Sequence, residues 1–175
     1  DDKAMIRQSV VSAARNFIAV QKKEPFWHIY RPANNKYDWG SNQLILQNMI
    51  VVSAGFDLTG ERPFLDGVRE SMDYILGRNA MNISYITGYG TTFAKNQHSR
   101  WYAHQVDATL PNPPVGSLAG GPNSTLVDDI AKARLKDCAP QTCYADDIMS
   151  WGTNELTINW NAPLVYIASF LADAR

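Results

Sequence analysis

The 175-residue chain is long enough for one hydrophobic core and shows no sign of two domains. With 45% apolar and 19% charged residues it has the composition of a globular protein, not a disordered one. A net charge of −1 with scattered Lys and Arg gives no electrostatic case for nucleic acid or an anionic membrane, and no apolar run reaches the about 18 residues of a bilayer span.

Asp1-Asp2-Lys3 is neither a Met start nor a signal peptide, so the chain is expected to be part of a longer one. Residues 4–22 read as an amphipathic helix with Ile6, Val10, Ala13, Ala14, Phe17 and Ile18 on one face, stopped by Lys22, Lys23 and Pro25. A loop rich in rings follows at 26–40, with Phe26, Trp27, His28, Tyr30, Tyr37 and Trp39. Ser41 is expected to cap a helix over 42–57 that is apolar nearly all round and therefore buried on several sides. A third helix starts near Arg62 with Pro63 at its first position and ends at Gly77.

Residues 78–152 lack a helical period and hold most of the Pro and Gly; strand signals are confined to 83–87. So long an irregular stretch in a compact protein is usually functional. A last helix is expected over 162–173, with Asn161 as its cap and Pro163 at its start. The fold class is all-α, with chemistry in the loops. Four helices, one of them apolar all round, would leave a wide apolar surface, so either dimerisation or a larger helical assembly is expected.

Cys138 and Cys143 flank a short Pro-containing loop. Two thiols make a poor zinc site, which leaves a local disulfide, or free thiols as the alternative; the bridge would fit a secreted protein. Asp107, Asp128, Asp129, Asp146 and Asp147 sit among loop carbonyls that suit Ca²⁺, without EF-hand spacing. Asp107 is the metal candidate carried forward, against the ordinary reading of a solvated loop acid. No nucleophile motif or phosphate-cradling glycine pattern is present.

Residues 144–162 carry most of the chemistry. They set Asp146, Asp147 and Glu155 among Tyr144, Trp151, Trp160 and amides. Burial against rings raises a carboxyl pKa, and rings beside hydrogen-bonding groups suit a sugar. The bland reading is a set of helix caps. A second stretch joins His98 and Arg100 to Trp101 and Tyr102; taken alone, such a pair is more often a loop staple.

Together the two stretches resemble the two signatures of glycoside hydrolase family 9, the inverting cellulases. Tyr144, Asp146, Trp151, Glu155, Thr157, Asn161 and Ala162 match the second in full spacing. Ser84, Ile86, Thr87, Gly90, His98 and Arg100 match the first, which the chain leaves at Thr92 and Gln97. Segments 39–42, 76–79 and 120–123 also look like family segments. The loop 138–143 resembles the subgroup in which the catalytic domain follows an immunoglobulin-like domain.

The resemblance implies the C-terminal part of a single (α/α)₆-barrel catalytic domain and hydrolysis of internal β-1,4-glucosidic bonds with inversion, in a secreted protein. Glu155 would be the general acid and Asp146 its partner carboxylate. His98 would bind glucose beside the point of cleavage, and Arg100, Trp101, Tyr144 and Trp151 would hold the substrate. The base-bearing Asp-Ala-Gly-Asp segment of the family does not occur in this sequence. Activity would therefore need the preceding part of the same domain as partner. No cofactor is required for the chemistry, and a structural Ca²⁺ is the one ion considered. The alternatives are a non-catalytic glucan-binding fragment and an exo-acting or processive cellobiohydrolase.

Overall fold

The computed structural model describes residues 1–174. Its helices are α1 (Asp2–Gln21), α2 (Ser41–Thr59), α3 (Arg62–Ile75), α4 (Asp129–Arg134), α5 (Trp151–Asn154) and α6 (Ile158–Asp173). Single 3₁₀ turns lie at Pro25–Trp27, Ala33–Asn35 and Pro140–Thr142. The all-α expectation holds.

Helix α2 is the hub, because it packs on α1, α3 and α6. That arrangement explains its nearly uniform apolar sequence: Ile45, Leu46, Met49 and Val52 are all fully buried. Each such side chain contributes about 1.5–3 kcal/mol by leaving water. Helix α1 meets α3 closely at Gly67, where an added Cβ would stand 2.2 Å from Ile18 Cδ1.

Two helix starts differ from the sequence reading. Gly40, not Ser41, caps α2. Its backbone is left-handed, with φ of 76°, and a side chain there would also meet the Trp160 ring at 2.9 Å. Helix α6 begins four residues before the expected 162. Thr157 is its cap, its Oγ1 accepting from the Trp160 N–H at 3.3 Å. Asn161 lies inside the helix, donates to the Thr157 carbonyl at 2.8 Å and accepts from the Leu118 N–H at 2.9 Å. Pro163 is also interior, so the motif that suggested a start instead tolerates one missing helical bond. Helix α3 ends at Ile75, two residues short of the expected Gly77.

The stretch 78–152 is irregular, as its composition indicates, except for α4 and single turns. It is not a loose surface loop. Residues 84–87 are pinned on both sides: Ala94 N–H donates to the Ser84 carbonyl at 2.8 Å and Ala119 N–H to the Tyr85 carbonyl at 2.9 Å. Instead of a strand there are isolated bridges, Ser84 to Phe93 and Ile86 to Leu118. Cys138 and Cys143 are joined in a disulfide with Cα atoms 5.3 Å apart.

Candidate active site

Helix α5 lasts one turn, and the chain leaves it at Glu155 in an extended conformation. That turn-out lets residue 155 lie abreast of residue 98 in a parallel bridge. The His98 N–H donates to the Asn154 carbonyl at 2.8 Å, and the Leu156 N–H donates to the His98 carbonyl at 3.1 Å. Main-chain bonds, not side-chain chance, therefore bring the acid and the imidazole together.

The His98 ring is oriented from behind. Its Nδ1 contacts the Ile148 carbonyl, which can only accept, so Nδ1 carries the hydrogen and Nε2 is left for a ligand. Burial pushes the Glu155 carboxyl above its ordinary pKa, and the neighbouring His98 opposes that shift. Among the described residues the Glu155 side chain has no hydrogen-bond donor to stabilise its anion. Such a carboxyl keeps its proton to higher pH, which suits a proton donor.

Asp146 sits in the opposite environment. Its carboxylate accepts from Lys95 N–H at 3.1 Å, Asn96 N–H at 2.9 Å, Asn96 Nδ2 at 3.4 Å and Asn154 Nδ2 at 3.2 Å. Four amide donors use up its lone pairs and tie the segment before His98 to the segment before Glu155. Gln97, where the chain leaves the family signature, is fully buried and donates to Thr87 Oγ1 at 2.6 Å. The departure therefore adds a staple under His98.

Arg100 is exposed and has no ion-pair or hydrogen-bond partner among the described residues. Trp101 is 80% exposed. With Tyr102, Leu156, Thr157 and Ile158 it lines a hollow of about 370 Å³, walled in part by the residues that follow Glu155 in the chain. Trp151 is half-buried and stands edge-on to Trp39 at 5.4 Å, which meets Trp160 at 6.3 Å. Trp39, half exposed, thus extends the aromatic surface; its signal in the sequence was its place in a ring-rich loop.

Two expected site residues lie elsewhere. Tyr144 is buried, not on an open surface: it is 3% exposed, packed against Tyr85 at 5.1 Å, with its hydroxyl donated to Asn154 Oδ1 at 2.7 Å. Asp107 is not placed in a metal site. Its carboxylate accepts from Thr109 N–H at 2.9 Å and Oγ1 at 2.7 Å, which lowers its pKa. No group of three His, Cys, Asp or Glu that could hold a metal occurs among the described residues. Asn154 was missed by sequence reasoning, although it stands immediately before Glu155.

A family model described as Glycosyl hydrolase family 9 matches residues 3–168. Endoglucanase C of Cellulomonas fimi is 47% identical over 171 residues, covering 96% of this chain and 16% of that protein. A cellulose 1,4-beta-cellobiosidase of Acetivibrio thermocellus is 47% identical over 136 residues, covering 77% of this chain and 15% of that protein. The crystal structure of a thermostable endoglucanase (D468A) from Alicyclobacillus acidocaldarius superposes with a TM-score of 0.87 at 27% identity, covering 99% of this chain and 32% of that one. The chain thus spans between 15% and 32% of the length of these relatives.

Proposed function

Since the chain belongs to glycosyl hydrolase family 9, we propose that it supplies the proton-donating side of a β-1,4-glucanase active site, with Glu155 as general acid. The observation that carries this reading is the half-buried Glu155 carboxyl, raised in pKa and locked beside His98 by two main-chain bonds. Glu155 protonates the departing glycosidic oxygen as the C1–O bond breaks. Water adds to C1 from the opposite face and yields its proton to a second carboxylate. In inverting hydrolysis the two carboxyl groups stand roughly 6.5–9.5 Å apart.

Asp146 is a poor choice for that second carboxylate, since its lone pairs are committed to amides. It holds the loop, and the base comes from outside these residues. The family's Asp-Ala-Gly-Asp segment, absent from this sequence, is the source we assign. The chain is then the C-terminal segment of one catalytic domain, and the rest of that domain is its partner. His98 Nε2, Arg100 and Trp101 receive the sugars next to the cleaved bond. The reaction needs no cofactor. The Cys138–Cys143 bridge supports export to an oxidising compartment, and its loop supports the subgroup in which an immunoglobulin-like domain precedes the catalytic domain.

The test uses a polypeptide carrying the complete catalytic domain. Glu155→Gln is expected to lower kcat on cello-oligosaccharides by about 10²–10⁴-fold, the usual contribution of a general acid. Unchanged turnover would remove Glu155 from the role. The likeness to a cellobiosidase supports a second reading, exo action. A rapid fall in the viscosity of carboxymethylcellulose supports internal cleavage; cellobiose released without a viscosity change supports the exo reading.

A further inference from the structure

Asn154 is fully buried, and each polar atom of its side chain is engaged. Its Nδ2 donates to the Asn96 carbonyl at 2.7 Å and to Asp146 Oδ1 at 3.2 Å, while its Oδ1 accepts from the Tyr144 hydroxyl at 2.7 Å. Its main-chain carbonyl accepts from the His98 N–H at 2.8 Å. The orientation of the amide follows from its partners. A carboxylate and a carbonyl only accept, so both amide hydrogens go to them, and the oxygen is left for the one hydroxyl.

One side chain therefore joins the 144–146 segment, the 96–98 segment and the end of α5, and the next residue along the chain is Glu155. Asp146 acts on the same pair of segments from the other side. Asn154 and Asp146 thus share the junction of all three, bonded to each other at its centre. The two main-chain bonds between 98 and 154–156 stand at the edge of this network, and without the amide they are the direct tie left between the 96–98 and 154–156 segments.

We propose that Asn154 is a positioning residue for proton delivery: it fixes the Glu155 carboxyl against His98 through its side-chain amide. Tyr144, buried with its hydroxyl on Oδ1, is the post that sets the amide's rotation. The proposal rests on Glu155 being the acid. A carboxyl misplaced by about 1 Å costs on the order of 10²-fold in rate, so the amide matters without touching substrate.

Asn154→Asp tests it in a polypeptide with the complete catalytic domain. The change keeps size and the acceptor for Tyr144, but sets a second carboxylate where Asp146 now receives a donor. Two substrates separate positioning of the acid from general damage: cellotetraose, whose leaving oxygen needs a proton, and 2,4-dinitrophenyl β-cellobioside, whose leaving group does not. The expected result is a kcat on cellotetraose lower by about 100-fold with KM within about threefold, and on the aryl substrate a fall below about fivefold.

Equal losses on both substrates, or no loss on cellotetraose, would overturn the proposal. Tyr144→Phe, which deletes only the hydroxyl at Oδ1, should give the same split at smaller size and serves if Asn154→Asp does not fold. Glu155→Gln is measured alongside. If it shows the split and the Asn154 and Tyr144 variants do not, positioning alone fails; if it leaves cellotetraose turnover intact, the acid assignment itself fails.

Discussion

The helical half of this chain and its loop half are held by different forces. Helices α1, α2, α3 and α6 meet through Ala14, Ile45, Leu46, Met49, Val52, Phe64, Val68 and Ile167, all at 2% exposure or less. Residues 94–98 and 144–157 meet through amides, carbonyls and one carboxylate. Apolar packing is non-directional, and it tolerates repacking at modest cost. Hydrogen bonds are directional, and a lost partner leaves a buried group unsatisfied. The scaffold is built from the first kind, and the bridge that sets Glu155 beside His98 is built from the second.

The comparison is broken most forcefully from the helical side. Leu46→Ala, at a fully buried position of α2, is expected to cost about 2–5 kcal/mol in unfolding free energy, measured by urea denaturation. In a polypeptide with the complete catalytic domain its kcat below the unfolding transition should stay at the starting value, because no bond of the 98–155 bridge reaches Leu46. A kcat that fell with stability would show that the halves are mechanically one.

His28 sharpens the boundary, because it lies where the halves touch. It is fully buried, 4.4 Å from the Tyr74 ring of α3 and 2.8 Å from the Tyr37 hydroxyl. The Tyr30 N–H points at its Nδ1, so the hydrogen belongs on Nε2, facing Tyr37 and Gln141 of the disulfide loop. Turning the Gln141 amide round presents its otherwise unpartnered Oε1 to that hydrogen. Burial lowers the His28 pKa to about 4. Because the folded value lies below the ordinary 6.5, the stabilisation is complete above 6.5 and is lost as pH falls from there towards 4. The loss is on the order of 3 kcal/mol. His28→Asn should flatten the urea midpoint between these limits, and an unchanged slope would assign the acid sensitivity elsewhere.

The two halves were not equally legible in the sequence. Helix α2 could be read from its apolar run alone, since periodicity and burial are properties of one segment. The α6 start could not: Asn161 and Pro163 mimic a cap and first turn, while the true cap is Thr157, which takes the Trp160 N–H, and the Asn161 side chain is instead engaged by the distant Leu118 N–H. Glu155 and His98 were singled out, but the bond pattern that joins them depends on residues 57 positions apart in the sequence meeting in space. Tyr144 looked like a sugar platform because an aromatic ring carries no mark of which way it faces. Asn154 gave no signal at all; its importance comes from three partners that only the fold assembles.

The smallest expected effect lies in the acid itself. Burial raises the Glu155 pKa in the folded state, so the folded chain favours the protonated carboxyl. The contribution is present below the ordinary carboxylate range and is lost as pH rises through the raised folded value, above which the folded state carries a poorly solvated anion. Glu155→Gln removes that anion while keeping the shape. Its midpoint in urea should match the unchanged protein at pH 4 and exceed it slightly at pH 7. A carboxyl held in this half-buried place would thus be less stable ionised than as its neutral amide. A Gln variant less stable than Glu at pH 7 would mean that His98 outweighs burial, and that Glu155 is an ion-pair partner before it is a proton donor.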